Sequence, residues 1–274
     1  MDKKKFVESE KELMRDHLLF IRRISYNYLL VIPKGQDKFI RFIYCSVEKL
    51  HKSSLALLSL YTLLETQHDI EFPMGILLRT LLMDEILILH LRVKQLQISN
   101  DLSNLKEKTE EIKEEAYRFI LDGTMHILDD LYSFSTKTED QKKKVATKIT
   151  KQFPGAFEWK KDTQRYKLVK KYNHITLANL IKNSKSIDLY NQRMVTDLYS
   201  YYSKYEHLSH WTSVLSNRDW AERLFNIHAS IAMLVYSLKD LAIIGQLDDE
   251  LNPYMVNINS EIDNYIRKSY PDIN

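Results

Sequence analysis

The side chains best suited to acid–base chemistry gather in one predicted helix. The segment from Leu198 to Trp211 holds four tyrosines, two histidines and one glutamate at helical spacing. Hydroxyls and imidazoles inside a protein need partners, because an unpaired buried polar group costs roughly 1–3 kcal/mol. Tyr205, Glu206 and His210 are therefore candidate site residues. The alternative is that Glu206 and His210 lie on the outer face of the helix.

A second candidate site lies in a helix that is apolar on every side, as a central helix would be. Within the residues from Met74 to Leu91, the polar side chains of Arg79, Asp84, Glu85 and His90 interrupt the apolar sequence. A buried charge without a partner is very costly, and Asp84 points about 140° away from Arg79 on the helix. We therefore predict that their partners come from other helices. The group either lines a polar pocket facing the tyrosine-rich helix or forms a structural ion-pair network.

Arg223 and His228 have the Arg-x4-His spacing found in helical ribonucleases. In that chemistry the arginine stabilises the pentacoordinate phosphate and the histidine moves a proton. With twelve arginines and nine histidines in the chain, about one match of this kind is expected by chance. The pair is a hypothesis for a catalytic site, and chance spacing is the alternative.

The sequence gives no support for the other common catalytic and metal-binding motifs. Glu65 and His68 have the spacing of a di-iron ligand pair, but His68 lies at the end of a predicted helix and not in the middle of the bundle. A Gly-x-Ser-x-Gly nucleophile motif and a His-Glu-x-x-His zinc motif are missing from the sequence as well. We therefore expect neither a metal nor a cofactor.

Basic residues concentrate between Lys137 and Lys171. This segment carries eleven lysines and one arginine against four acids, a net charge of +8, whereas the rest of the chain sums to −5. Aromatic residues are interleaved with the lysines, and this combination can hold phosphates and stack bases. The alternative is a solvated connection. The candidate nucleic-acid contacts are Lys142, Lys143, Lys144, Lys148, Lys160, Lys161 and Arg165.

Composition predicts an all-α protein. The chain has 274 residues, 44% of them hydrophobic, but only five glycines and five prolines. Because tight hairpins and phosphate loops both consume glycine, such scarcity favours helices. The single cysteine, Cys45, excludes an internal disulfide and fits a reducing compartment. Charged residues follow Met1 directly, so we expect no secretory signal, no membrane contact and a cytoplasmic location.

Apolar residues at three- and four-residue steps divide the chain into a bundle of eight to nine helices. We predict one domain over residues 1–274, with 137–172 as a basic, partly irregular insertion or connector. The segment from Ala156 to Asn173 is expected to be irregular. The predicted helices run about Phe6–Val31, Asp37–His68, Pro73–Gln97, Leu102–Phe134, Thr138–Phe153, Thr176–Asn183, Ile187–Leu215, Arg218–Ile244 and Asn252–Lys268.

Two segments resemble a group of bacterial all-helical proteins related to the HEPN superfamily. They are the proline-led apolar helix from Pro73 through Arg79 to Glu85, and the Tyr-Ser-Lys-Tyr-Glu-His-Leu-Ser-His segment from Tyr202 to His210. In that group an arginine-bearing helix is paired with a later Tyr-x-x-Leu-Ser segment and a nearby histidine. Here Ser213 stands where that histidine is expected, and His210 comes earlier. The resemblance implies an HEPN-like helical core, a dimer and a bias toward RNA.

The leading hypothesis is therefore an HEPN-like protein that contacts RNA and cleaves it without a metal, as a toxin or phage-defence effector. The expected partners are RNA and either a second copy of the chain or a cognate protein. One alternative is a non-catalytic interaction or regulatory subunit whose polar network only fixes helix register. Another is a ligand-binding helical pocket walled by tyrosines. The candidate catalytic residues are Arg79, Asp84, Tyr205, Glu206, His210, Arg223 and His228.

Overall fold

The protein is an all-α bundle with one small two-stranded sheet, as a computed structural model of the chain shows. The structure describes residues 3–33, 37–64, 67, 70–99, 105–172, 180, 190–204 and 218–270. Within these ranges the helices are α1 (Lys3–Val31), α2 (Lys38–Leu64), α3 (Glu71–Ser99), α4 (Leu105–Phe134), α5 (Glu139–Thr150), α6 (Tyr190–Ser203), α7 (Trp220–Gly245) and α8 (Asn252–Ser269). The predicted fold class is confirmed. The predicted helix from Thr176 to Asn183 and the continuation of the tyrosine-rich helix beyond residue 204 lie outside the described residues.

Helix α7 lies at the centre of the bundle and packs against α1, α3 and α8. Most of its side chains are buried, because residues on all of its faces are apolar. Its length and hydropathy would also let it cross a membrane, alone among the described helices, but 83% of its most apolar window is buried inside the protein. A core helix passes the same test, so this property is weak evidence for membrane contact.

Helices α2, α3 and α4 form a neighbouring layer. Helix α3 packs on α7 and α6 and also contacts α4, and α2 contacts both α1 and α4. Asp37 begins α2 by accepting hydrogen bonds from the backbone N–H groups of Phe39 and Ile40, at 2.8 and 2.9 Å. Such capping satisfies donors that the first turn leaves open. As a result, the polar residues of α3 lie next to the side chains of neighbouring helices.

The basic segment folds as helix α5 followed by a β-hairpin. Thr138 and Gln141 form a capping box at the start of α5. Strands β1 (Phe157–Lys160) and β2 (Arg165–Leu168) pair antiparallel, with Trp159 opposite Tyr166. A 3₁₀ turn, Lys170–Tyr172, follows. The expectation of an irregular segment from Ala156 to Asn173 is wrong, since four-residue strands are too short to give a clear alternating pattern.

The hairpin forms without a glycine in its loop. Gln164, just before β2, takes the left-handed backbone conformation instead, with φ of 52°. Buried residues of the basic segment pack against α4 in two small hydrophobic clusters, separate from the main core. One joins Tyr117 to Phe153 and Tyr172, and the other joins Tyr132 to Ala146. Most of the interleaved aromatic residues therefore fill these clusters.

Candidate functional site

Arg79, Asp84 and His90 of α3 have partners on three different helices. Arg79 Nη2 donates to the Tyr199 hydroxyl of α6 at 3.3 Å. Lys49 of α2 pairs with Asp84 at 2.6 Å. The predicted pairing between helices is confirmed for Arg79, Asp84 and His90. The buried carboxyl oxygens of Glu85 have no hydrogen-bond partner in the described structure.

His90 of α3 lies in a second ion-pair group with α4. Its Nε2 is 3.2 Å from Glu115 Oε1, and Lys94 and Arg118 approach the same carboxylate at 3.9 and 3.2 Å. Burial raises the pKa of Glu115, but the hydrogen bond with His90 and the charge of Lys94 outweigh it, so that pKa is lowered. The group ties α3 to α4.

Arg223 and His228 contact different acids on different helices. Arg223 Nη1 donates to Glu71 Oε2 of α3 at 2.6 Å, and Glu71 is only 3% exposed. His228 Nδ1 bonds Glu10 of α1. Side chains five residues apart on a helix point about 140° apart. The structure therefore does not bring this pair together on one phosphate-sized site, and each residue is engaged by an acid of the protein.

His228 belongs to a buried cluster, the His17–His228 cluster, formed by Glu10, His17, His228, Tyr265 and Tyr270. The two imidazole rings stack with centroids 5.3 Å apart. The Tyr270 hydroxyl lies 2.7 Å from His17 Nε2 and 3.3 Å from His228 Nε2, and the Tyr265 hydroxyl lies 2.8 Å from His17 Nδ1. The cluster joins α1, α7 and the end of α8.

One choice of tautomers satisfies every group of the cluster. Tyr265 donates to His17, His17 donates to Tyr270, Tyr270 donates to His228, and His228 donates to the Glu10 carboxylate. Burial, followed by the neighbouring His228, lowers the pKa of His17 to about 3, so this ring is neutral at ordinary pH. Burial also raises the pKa of the Tyr270 hydroxyl. Both shifts keep the His17 ring and the Tyr270 hydroxyl neutral.

Two carboxyl groups approach each other between α3 and α7. Burial and the neighbouring Asp240 raise the pKa of Glu85 well above its ordinary value. Burial also raises the pKa of Asp240 to about 7, although Arg92 opposes the shift. Burial, more than the repulsion between them, therefore favours the neutral form of both carboxyl groups.

Three of the candidate catalytic residues, Tyr205, Glu206 and His210, lie outside the described residues. The predicted approach of Glu206 or His210 to Arg79 or Asp84 stays a prediction. Asp84, within the described structure, has Lys49 as its ion-pair partner. Burial raises the pKa of this carboxyl, and Lys49 counteracts the shift.

Some of the candidate nucleic-acid contacts already have a partner within the protein, and others are exposed to solvent. Lys142 bonds Glu139 at 2.9 Å, and Lys160 pairs with Glu158 at 2.7 Å. Lys143 stacks over Trp159 with its Nζ 4.8 Å from the ring centre, and the Arg165 guanidinium lies 5.2 Å from the Tyr132 ring centre. Among these candidates, Lys144, Lys148 and Lys161 are exposed and have neither an ion pair nor a ring contact in the described structure.

Lys144 and Lys148 continue into Lys151, a residue that the sequence analysis missed. The three are four and three residues apart and Lys151 is the C-terminal cap of α5, so they form a row along one face of the helix and its cap, which we call the lysine row. All three are exposed. Like charges at this spacing repel one another, so an anion lying along the row would be stabilised. The spacing alone could have identified Lys151.

The lysine row ends at a cleft between α2, α4 and the turn after α5. This cationic cleft has a volume of about 770 Å³ and is lined by Pro33, Lys38, Ile40, Arg41, Tyr44, Tyr117, Lys151, Gln152, Phe153 and Pro154. Lys38 Nζ lies 4.3 Å from the Tyr117 ring centre, and the Arg41 guanidinium lies 5.0 Å from that of Phe153. No described residue of the lining is acidic.

Asp37 and Glu114, two acids on the helices that form the cleft, already have partners in the protein. Asp37 caps α2 with its side chain. Glu114 pairs with Lys171 at 3.0 Å, and although burial raises the pKa of this carboxyl, the hydrogen bonds from Lys171 and Tyr172 leave it lowered. The cleft therefore presents three cations beside aromatic rings to an incoming anion.

Within the described part of the chain, the fold and the cleft define an all-α protein with a basic, aromatic-lined surface. Comparison of the chain with protein-family models, curated proteins and solved structures finds no match. The resemblance to the HEPN superfamily stays a prediction.

Proposed function

We propose that this protein binds single-stranded RNA through the lysine row and the cationic cleft, as a binding module. The single observation that carries the proposal is the continuity of the two features, which share Lys151. A phosphate backbone following the row would reach Lys38 and Arg41. RNA, and not DNA, is the nucleic acid that the HEPN resemblance implies.

The chemistry of the cleft suits an unpaired strand. Single-strand binders combine a cationic track for the backbone with aromatic and guanidinium surfaces on which bases stack. Tyr117 and Phe153 are buried beneath Lys38 and Arg41, so the half-buried Tyr44 ring and the exposed Arg41 guanidinium are the surfaces on which bases would stack. A duplex presents its bases only at groove edges, so it would gain little from these two surfaces.

Cleavage is the less supported half of the initial hypothesis. Arg223 and His228 are bound to Glu71 and Glu10, and both acids are buried. A transition-state phosphate would have to displace those carboxylates. We therefore propose binding without cleavage by this pair, which corresponds to the non-catalytic alternative.

The test compares two triple variants with the same change in net charge. Lys144→Gln/Lys148→Gln/Lys151→Gln removes the lysine row, whereas Lys142→Gln/Lys143→Gln/Lys160→Gln removes cations that already have partners. We expect the first to weaken binding of a single-stranded RNA oligonucleotide by about ten-fold or more, and to reduce the salt slope by about two, since each phosphate contact contributes about 0.7. The second should change affinity far less.

A second pair of variants tests the cleft itself. Arg41 and Arg165 both stack on an aromatic ring, but only Arg41 lines the cleft. Arg41→Gln should weaken RNA binding by several-fold, on the scale of one stacking contact of about 1–3 kcal/mol, and Arg165→Gln should not. Equal losses in both pairs of variants, or no RNA binding by the unaltered protein, would refute the proposal.

A further inference from the structure

Two cations of the cationic cleft lie over one small floor. Lys38 Nζ is 4.3 Å from the centre of the Tyr117 ring, and the Arg41 guanidinium is 5.0 Å from that of Phe153. These two rings contact each other, with centroids 6.3 Å apart. Lys38 and Arg41 are also three residues apart on α2, a spacing at which helical side chains are neighbours. Their charges therefore cover adjacent parts of the same surface.

A third cation, Lys151, reaches this floor from the turn after α5. Arg41 Nη2 donates a hydrogen bond to Gln152 Oε1 at 3.3 Å, so the residue next to Lys151 is bound directly to the cationic part of α2. Lys38, Arg41 and Lys151 are all exposed. Because no described residue that lines the cleft is acidic, three positive charges face one space.

The cationic track does not continue beside the cleft on α2 or α4. The cations that follow Arg41 on α2, and those on either side of Tyr117 on α4, each pair with an acid. They are Lys49 with Asp84, Lys52 with Glu48, Lys113 with Asp248 and Arg118 with Glu115, all within 3.2 Å. A phosphate backbone that enters along the lysine row therefore finds its last unpaired cations on these helices in the cleft.

We propose that the cationic cleft holds the end of a single-stranded RNA, with a terminal phosphate on Lys38, Arg41 and Lys151. This inference rests on the proposed function and specifies which part of the strand the cleft recognises. A phosphomonoester carries a charge of about −1.5 to −2 at neutral pH and three acceptor oxygens. A phosphodiester within the strand carries a single negative charge. Three cations on one floor match the monoester better, and the half-buried Tyr44 ring lines the same cleft for the terminal base.

The test uses an oligouridylate of about ten nucleotides, within the usual range of single-strand sites. Three forms carry a 5′-phosphate, a 3′-phosphate or hydroxyls at both ends, and calorimetry with the full chain leaves both ends free of label. At least one phosphorylated form should bind about ten-fold more tightly than the hydroxyl-ended form, on the scale of an additional charge-assisted contact. Its salt slope should be larger by about 0.7. The form that binds more tightly gives the polarity of the strand.

Three single variants locate the preference for a phosphorylated end. Lys38 and Lys143 each lie over an aromatic ring, but only Lys38 lines the cleft. Lys38→Gln should reduce the preference to about two-fold or less, because one of three charges on the phosphate is lost, whereas Lys143→Gln should keep it. Lys144→Gln, which removes a cation of the lysine row, should weaken all three forms by a similar factor.

The outcomes separate the end from the track. Equal binding of the hydroxyl-ended and both phosphorylated forms would overturn recognition of the end and leave RNA binding intact. A preference that is unchanged in Lys38→Gln, or equally reduced in Lys38→Gln and Lys143→Gln, would overturn its location in the cleft. Failure of all three forms to bind would instead refute the proposed function itself.

Discussion

Charged groups in the interior of the bundle and on the face of α5 differ in whether they have partners within the protein. In the interior, Arg223 and His228 are bound to buried acids of other helices. On α5, Lys144 and Lys148 are exposed side by side without an ion pair in the described structure. The comparison teaches that an arginine and a histidine with catalytic spacing can serve to hold helices together. The groups that remain available to a ligand are exposed lysines.

The physical basis of the difference is desolvation. A charge brought inside must be matched, because an unmatched one costs several kcal/mol. A lysine at the surface keeps its water and needs no partner, so its charge remains available. Stability and its acid dependence test the buried side of this comparison, and RNA binding by the lysine-row variants tests the exposed side.

The largest effect is expected from Glu71→Ala. Arg223, with only 14% of its side chain exposed, would lose its 2.6 Å partner and remain as an uncompensated charge. We expect a loss of about 3–5 kcal/mol in the free energy of unfolding, measured with denaturant. Lys144→Ala should stay within about 0.5 kcal/mol of the unaltered protein. Similar small effects of both substitutions would contradict the distinction between the two regions.

An effect of intermediate size on the free energy of unfolding is expected at low pH, and it arises from His17. The pKa of this ring is about 3 in the folded protein, against 6.5 as its ordinary value. Since the unfolded chain binds the proton first, the neutral ring contributes stability above pH 6.5, and that contribution is lost as the pH falls toward 3. The loss reaches up to about 1.4 kcal/mol per pH unit.

The measurement is the difference in acid dependence between variants. His17→Gln cannot take up this proton, so its free energy of unfolding should fall less steeply between pH 6 and 4 than that of the unaltered protein. His126→Gln, at an exposed position, should keep the original slope. Identical slopes for all three proteins would show that His17 is not held neutral by burial.

The smallest effects are expected from two glycines, and they should differ in sign. Gly123→Ala should raise the free energy of unfolding by about 0.5–1 kcal/mol, since its Cβ meets nothing within 4 Å. Gly245→Ala should lower it by about 1–3 kcal/mol, because its Cβ would lie 2.8 Å from Met255 Cγ. Thermal unfolding measures both, and a gain for both would contradict the close packing at Gly245.

Helix positions were largely predictable from the sequence. Pro253 near the start of α8 and the Thr138 capping box of α5 are local signals, and the helices begin within a few residues of them. The need for partners around Arg79 and Asp84 was predictable too, because burial of charge has a fixed physical cost. The β-hairpin was missed, since strands as short as Phe157–Lys160 carry too few alternations.

The candidate site was predictable only in part. Lys144 and Lys148 were identified from the local concentration of charge, but Lys38 and Arg41 were not, because they come from α2, more than a hundred residues earlier. His17 and Glu10 were missed for the same reason, since a lone histidine on α1 carries no local sign of its neighbours. Spacing within one helix is visible in a sequence, and proximity between helices is not.

The sequence by itself determined an all-helical chain with a basic surface segment and charges buried in a central helix, because hydrophobic periodicity and the cost of burial act locally. Only the tertiary structure decided which side chains pair with one another. It assigned Glu71 to Arg223 and Glu10 to His228, and it brought Lys151 beside Lys38 and Arg41. Those choices follow from how the helices pack, which is a property of the whole chain.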